Sequence, residues 1–288
     1  MTSRIVGVIP TFAPGPALSS TVRVLVNQVD HVVLSDDASP CTSDKALAAI
    51  QDIENVTLIR HPQNRGIARG LNDGLHHAVA IEADWLLTLD QDTEIDGEYV
   101  AHLRQDAERR LSAGDRVGAI GTSEIADSAG RLRIPVHRGR HGDFTEELIQ
   151  TGTLWSVPGL RDIGGFDESL GIDAVDAAAC LRLRELGYTI CVTPHVSIRH
   201  VIGTARIVRI FGHETMVTGH SAERRTTMLR NRLRLFPSEF RQSPRHAVRT
   251  LRRVATNQAL GLVLESDRWR KARGSALGLL PSRDTTGN

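Results

Sequence analysis

Asp84-Trp85-Leu86-Leu87-Thr88-Leu89-Asp90-Gln91-Asp92 sets an apolar run against an acidic turn. Trp85–Leu89 reads as a buried strand. Where it runs out, side-chain alternation along extended backbone puts Asp90 and Asp92 on one side. Two carboxylates at the mouth of an α/β sheet suit a hard divalent cation that also holds phosphate oxygens. Ligand sites of open parallel sheets lie at the carboxyl ends of their strands. A solvated acidic turn is the alternative reading of the tripeptide taken alone.

The flanking sequence alternates strand and helix signals. Arg4–Ile9 is a β-rich run that ends at Pro10, and Ala17–Gln28 carries apolar residues at helical spacing. Strands follow at His31–Leu34, Val56–Ile59 and Val117–Ile120, with helices at Asp44–Ile53, Ile67–Ala80 and Glu98–Leu111. This alternation predicts an α/β fold, a mostly parallel central sheet flanked by crossover helices. Further on, Arg131–His141 is polar and basic and reads as a hairpin or mobile loop, and Leu148–Val157 is strand-like. Ala174–Leu186 reads as a helix that Gly187 stops. Thr189–Val192 and Val196–His200 are short strands. Beyond Ala205 the chain is arginine-rich and reads as mostly helical, punctuated by Pro237 and Pro244. The expected division is a catalytic domain over 1–204, with halves near 1–120 and 121–204, and a basic helical region over 205–288.

Composition excludes several classes. The chain has 288 residues and a formal charge of +1, so nothing global points to nucleic acid. Cys41, Cys180 and Cys191 show no CxxC spacing and give no disulfide framework, which fits a reducing, cytoplasmic setting. The opening apolar stretch is too short for a signal peptide, and no run of about 20 apolar residues exists to span a bilayer. Aromatic residues make up 4% of the chain, so the core must rest on Leu, Val, Ile and Ala.

Polar clusters fall at successive strand ends: Pro10-Thr11, Asp36-Asp37 and Asp90–Asp92. Convergence at one sheet edge is what a nucleotide pocket needs. An acid after the second strand, Asp36 or Asp37, is placed to accept a pyrimidine N3–H or a ribose hydroxyl. Asp-Asp-Ala-Ser-Pro is also good turn and N-cap chemistry. Asn64-Arg65-Gly66 through Arg69-Gly70 to Asn72-Asp73-Gly74 opens a helix. Its glycines would let backbone approach a ligand, its N-terminal amides favour phosphate, and its arginines suit phosphate pairing. No GxGxxG or GxxxxGK[ST] occurs, which weighs against a dinucleotide enzyme and a P-loop NTPase. Asp176 would sit in the first turn of the Ala174–Leu186 helix, as a general base or as a partner of the helix dipole. Asp173 reads equally well as its N-cap. His200 closes a strand, and imidazole beside carboxylates suits Mn²⁺ better than Mg²⁺.

In combination these residues resemble the large inverting nucleotide-sugar glycosyltransferase family 2 with the GT-A fold, and within it the bacterial rhamnosyltransferases of cell-surface polysaccharide synthesis. The motifs run in family order: Val8-Ile-Pro-Thr-Phe12, Val33-Leu-Ser-Asp-Asp-Ala-Ser-Pro40, Asn64–Gly74, and Asp84–Asp92 with the D-Q-D variant typical of the rhamnosyl group. Gly152-Thr153 with Gly164–Glu168 resembles the acceptor-side motif. Asp173-Ala-Val-Asp176 resembles the base-bearing segment, and Arg199-His200 the late metal-ligand histidine. The resemblance covers about residues 4–235.

It implies that Thr11, Asp36, Asp37, Asn64, Gly66, Arg69, Asn72, Asp90, Gln91, Gly152, Thr153, Asp173 and Arg230 contact substrates, the last at the diphosphate. Asp92 and His200 would hold Mg²⁺ or Mn²⁺, and Asp176 would be the base. The donor implied is dTDP-L-rhamnose, with UDP-sugars the alternative, and the acceptor a saccharide or lipid-linked saccharide. The chain departs from the family pattern at Gly171, at Ala177–Ala179 and at Thr226-Thr227. A nucleotidyltransferase would need a Gly-rich basic loop that Pro10–Pro16 lacks, and a non-catalytic nucleotide-sugar binder remains the other alternative. The basic tail, with Arg245, Arg249, Arg252 and Arg253 at helical spacing, suits an anionic membrane surface, a solvated helix or a homodimer contact.

Overall fold

The computed structural model describes residues 3–127, 130–200, 206–210, 213–217 and 220–264. The strand–helix alternation read above becomes β1 (Ile5–Thr11), α1 (Leu18–Leu25), β2 (His31–Asp36), α2 (Asp44–Gln51), β3 (Val56–Arg60), α3 (Ile67–Ala80) and β4 (Trp85–Thr88). These strands pair in parallel in the order β3-β2-β1-β4, with Thr11 opposite Asp36, Asp36 opposite Arg60 and Val8 opposite Thr88. Their carboxyl ends therefore line up on one edge, where the Thr11, Asp36-Asp37 and Asp90–Asp92 clusters stand.

Next come β5 (Thr93–Glu94), α4 (Tyr99–Ser112), β6 (Val117–Thr122), β7 (Glu124–Asp127), β8 (Gly130–Arg133), β9 (His137–Gly139), β10 (Gly142–Phe144), β11 (Thr153–Ser156), α5 (Val157–Asp162), α6 (Val175–Glu185), β12 (Thr189–Thr193) and β13 (Ile198–His200). The main sheet has the order β3-β2-β1-β4-β11-β6-β12-β10-β9. β11 runs antiparallel between β4 and β6, so the parallel sheet is interrupted at its middle. A smaller sheet, β5-β13-β7-β8, carries part of the basic 131–141 stretch that was expected as a hairpin or loop.

The Leu148–Val157 strand is shorter than expected. Ser156 caps a helix by accepting from Gly159 N at 3.2 Å, with proline in the first turn, and this α5 was not anticipated. The core is largely aliphatic, with Trp85, Tyr99, Trp155 and Phe166 its buried aromatic members.

Residues divide into two compact units, Met1–Val201 and Ile202–Asn288. The second contains β14 (Arg206–Ile210) paired antiparallel with β15 (His213–Val217), then α7 (Ala222–Gln242) and α8 (Pro244–Leu264). The region is mostly helical, as expected, and the hairpin ahead of α7 was not anticipated. Pro237 does not punctuate: α7 runs through it, although proline has no N–H to offer Leu233. A part-buried Arg232–Glu239 ion pair at 3.2 Å bridges the proline turn. Pro244 does open α8, at the position where its missing N–H does no harm. Arg225 and Gln258 join the two helices through bonds of 2.9 Å to Asn257 O and Arg225 O. Among the described residues no helix is long and apolar enough to cross a membrane.

One packing feature positions the site. α3 lies against β1 so closely that a Cβ at Gly70 would stand 2.9 Å from Pro10 Cβ, and one at Gly74 would overlap Val8. These glycines admit a strand rather than a ligand. Gly74→Ala should therefore destabilise the protein by about 1–3 kcal/mol through overpacking. Gly97→Ala, with nothing within 4 Å of the added carbon, should stay within about 0.5 kcal/mol. Urea denaturation of the two variants measures the difference.

Candidate active site

The turn that follows β4 is held from two directions. Gln91 faces β1: its Oε1 accepts from Phe12 N at 3.0 Å and its Nε2 donates to Phe12 O at 3.2 Å. The glutamine of the D-Q-D turn thus extends the β1–β4 pairing by one side-chain amide. From the other side comes the 148–152 turn ahead of β11. Thr88 Oγ1 donates to Gln150 O, Asp90 N donates to Thr151 Oγ1 at 2.9 Å, and Thr93 and Thr151 hydroxyls meet at 2.7 Å. Gln150 Nε2 donates to Asp90 Oδ1 at 2.6 Å.

The same turn meets α6. Asp176, in the first turn of that helix, accepts from Gln150 N at 3.2 Å through Oδ2 and from Ala177 N at 2.8 Å through Oδ1. Asp90 and Asp176 thereby come to one residue. Asp173 is half-buried but is not the N-cap, which corrects that reading. Ala174 holds the post in a left-handed conformation, φ 66°, and offers no side-chain bond.

Asp92 is exposed at the end of the turn. The pairing of β13 with β5 sets His200 opposite Thr93, one residue beyond Asp92. The His200 side chain lies outside the described residues. The Asp92 carboxylate is a hard oxygen donor of the kind that Mg²⁺ and Mn²⁺ take.

Several of the residues expected to contact substrates are hydrogen-bonded within the protein. Asp36 is fully buried and accepts from Ser39 N at 3.3 Å and Arg60 Nε at 3.2 Å, so it serves its turn and an ion pair. Asp37 accepts from Arg65 N at 2.7 Å and Gly66 N at 2.8 Å. Ala68 N faces Gly171 O at 3.4 Å. The N–H groups of Arg65 and Gly66, just ahead of α3, and of Ala68 in its first turn therefore have acceptors within the protein.

Gly66 is needed for its φ of +88° and because a Cβ would meet Gly171 O at 2.7 Å. Asn72 braces α3 to the Gly164–Glu168 segment, donating to Phe166 O at 3.0 Å and Glu168 at 2.9 Å and accepting from Phe166 N at 2.9 Å. Arg69 stands near Asp73 at 3.5 Å and Glu168 at 3.7 Å, and Asn64 is exposed.

Thr11 is buried, donating to Ser35 O at 3.3 Å. Gly152, at φ +75°, leaves room for Tyr99, whose buried hydroxyl donates to Gly152 O at 2.6 Å; burial raises the Tyr99 pKa. Thr153 is enclosed in β11 and donates to Ile149 O at 2.7 Å. Arg230 stands on α7, in the second unit.

Two residues were not singled out from sequence. Phe12 is 51% exposed at the carboxyl edge of β1, an unusual post for an aromatic side chain. Gln150 belongs to no motif, and its only signal was its place just ahead of Gly152-Thr153.

Comparison with known proteins identifies the family and the fold. The profile of glycosyl transferase family 2 matches residues 8–157. A Shigella flexneri protein described as dTDP-rhamnosyl transferase RfbF is 31% identical over 240 residues, 80% of this chain and 79% of that protein. Among solved structures, the Pyrobaculum calidifontis mannosyltransferase PcManGT, in complex with GDP-Man and Mn²⁺, superposes with a TM-score of 0.60 at 17% identity. That match covers 97% of this chain and 81% of the mannosyltransferase. GalNAc-T7, with UDP, GalNAc and Mn²⁺, gives a TM-score of 0.58 at 16% identity over 82% of this chain; the chain spans about half of its length, 48%. The fold is that of the GT-A glycosyltransferases.

Two backbone N–H groups donate to Asp37 in the ligand-free protein. Asp37→Ala should cost about 1–2 kcal/mol of stability before any nucleotide is added, because two N–H groups lose their acceptor. Urea denaturation without ligand reads this directly. Unchanged stability would mean that the carboxylate serves the ligand alone.

Proposed function

The chain belongs to glycosyl transferase family 2, and from that premise we propose that it transfers L-rhamnose from dTDP-L-rhamnose to a hydroxyl of a saccharide or lipid-linked saccharide, with inversion at the anomeric carbon. The observation that carries this reading is the meeting of a strand-end acid, Asp90, and a helix-start acid, Asp176, at Gln150. A two-substrate transfer needs one group of acids for the departing diphosphate and one carboxylate for the incoming hydroxyl. The choice of donor is supported by the similarity to the rhamnosyl transferase and by the D-Q-D turn.

In this reading the exposed Phe12 ring offers a stacking face to the base, beside the Asp36-Asp37 turn. Asp90 holds the ribose or the metal shell. Mg²⁺ or Mn²⁺ at Asp92 and His200 would neutralise charge developing on the leaving diphosphate. Asp176 accepts the proton of the acceptor hydroxyl as it attacks opposite the leaving group. Two main-chain N–H groups hold the Asp176 carboxylate in place for that step.

Arg230 is assigned to the diphosphate by its place in the family pattern. On α8, Arg245, Arg249, Arg252 and Arg253 are exposed around an exposed Val248, and that helix bears no acid. This supports an acceptor presented at an anionic membrane surface on the cytoplasmic side.

Calorimetry with Mn²⁺ tests the donor. dTDP-L-rhamnose should bind, and UDP-glucose binding tenfold tighter, about 1.4 kcal/mol, would overturn the rhamnosyl assignment in favour of a UDP-sugar. Binding of either with no turnover would favour a non-catalytic binder.

The base is tested by release of dTDP from dTDP-L-rhamnose with water as acceptor. Asp176→Asn keeps the shape and loses the proton acceptor, so turnover should fall by about 10²–10⁴-fold with donor affinity little changed. Asp173→Asn should cost less. The opposite ranking would move the base to Asp173.

A further inference from the structure

Gln150 stands where the two halves of the site meet, and its chemistry is unusual for its burial. Its side chain is 7% exposed. One end of the amide, Nε2, donates to Asp90 Oδ1 at 2.6 Å. The other end, Oε1, is buried and has no hydrogen-bond partner among the described residues. A buried acceptor left unpaired destabilises a fold relative to an apolar side chain of the same shape. On stability alone, methionine would serve better here.

The amide cannot improve matters by turning over, because its oxygen would then face the Asp90 carboxylate at hydrogen-bond distance. What the residue contributes is thus a single N–H delivered to Asp90. Its backbone is equally constrained. The main-chain N–H donates to Asp176 Oδ2 at 3.2 Å, and the main-chain carbonyl accepts from Thr88 Oγ1 on β4.

We infer that Gln150 is a positioning residue that locks Asp90 to Asp176, fixing the spacing between the donor-side acid and the acceptor-side base. It acts through those two carboxylates and touches neither the bond that forms nor the bond that breaks. The inference rests on the transferase reading of the site and deepens it. It accounts for a buried amide whose oxygen is left without a partner, because residues that hold a reacting geometry are retained at a cost in stability.

The test uses the full chain, Gln150→Met and Gln150→Glu, with dTDP and Mn²⁺ for binding and dTDP-L-rhamnose with water as acceptor for turnover. Gln150→Met keeps length and removes both the donor and the orphaned oxygen. Its melting temperature should equal or exceed that of the wild type. Affinity for dTDP should stay within about threefold while kcat falls by about 10²-fold, the loss that a misplaced reacting group brings. Gln150→Glu should lose at least as much kcat, since it sets a second carboxylate against Asp90.

A part that only braces the fold would behave otherwise. Wild-type kcat in Gln150→Met overturns the inference, and so does a loss of kcat that merely follows a fall in melting temperature. Wild-type protein that fails to bind or turn over any nucleotide sugar removes the transferase reading, and this inference with it. Wild-type turnover beside an unimpaired Gln150→Met removes this inference alone.

Discussion

The site depends on the clasp between the end of β4 and the turn ahead of β11. β4 is followed by acids, and acids at a strand end repel one another and solvate freely unless their backbone is held. Here the hold comes from hydroxyls. Thr88, Thr93 and Thr151 join with the Asp90 N–H in bonds that tie the 148–152 turn to the strand, and Trp155 Nε1 reinforces Thr88 at 2.9 Å. Neutral donors and acceptors of this kind survive burial because each meets a partner. The acids are then presented from a rigid edge rather than from a loose loop, as groups that must hold a reacting geometry require.

β11 runs antiparallel to β4 with Thr153 opposite Thr88, so the 148–152 turn that leads into it lies at the carboxyl end of β4. The turn places Gln150 and Gly152 next to the strand end, and it leaves Asp176 on α6 within reach of the Gln150 main chain. On the opposite side of β1, α3 is drawn in by Gly70 and Gly74. Asn72 ties that helix to the Gly164–Glu168 segment, and Asp37 ties its start to the end of β2. The residues closest to the family motifs are, in large part, the ones that keep four strand ends and two helix starts in register.

Much of this was legible in the sequence, for identifiable reasons. The bounds of α3 could be read as Ile67–Ala80 because an apolar period of 3.6 begins just after a glycine. The strand-end clusters were legible because a parallel sheet brings carboxyl ends together whatever its strand order. Strand direction was not legible, because the apolar run 148–157 has the same pattern read either way. The hairpin at Arg206–Ile210 and His213–Val217 was hidden because its first strand sets Ile207-Val208 between arginines, with no clean alternation to read. The start of α5 was written in Ser156-Val157-Pro158 but overshadowed by the apolar run before it. The part played by Gln150 was out of reach, since it exists only through three contacts with residues distant in the chain.

The distribution of burial separates scaffold from chemistry at this edge. Asp36 and Asp73 are buried and paired, the latter with Ser35 at 2.7 Å and His61 at 2.6 Å. A buried, hydrogen-bonded carboxylate of this kind resists exchange with a ligand, because leaving its partners would strand a charge in a poorly solvated place. Asp92 and Phe12 are exposed on the same edge. An acid motif in a sequence does not tell these two kinds of aspartate apart. Their difference is fixed by strand register: Asp36 is enclosed between Thr11 and Arg60, whereas Asp92 lies past the last parallel pair. The residues at the last register positions of the sheet are enclosed, and those one or two steps beyond it reach solvent.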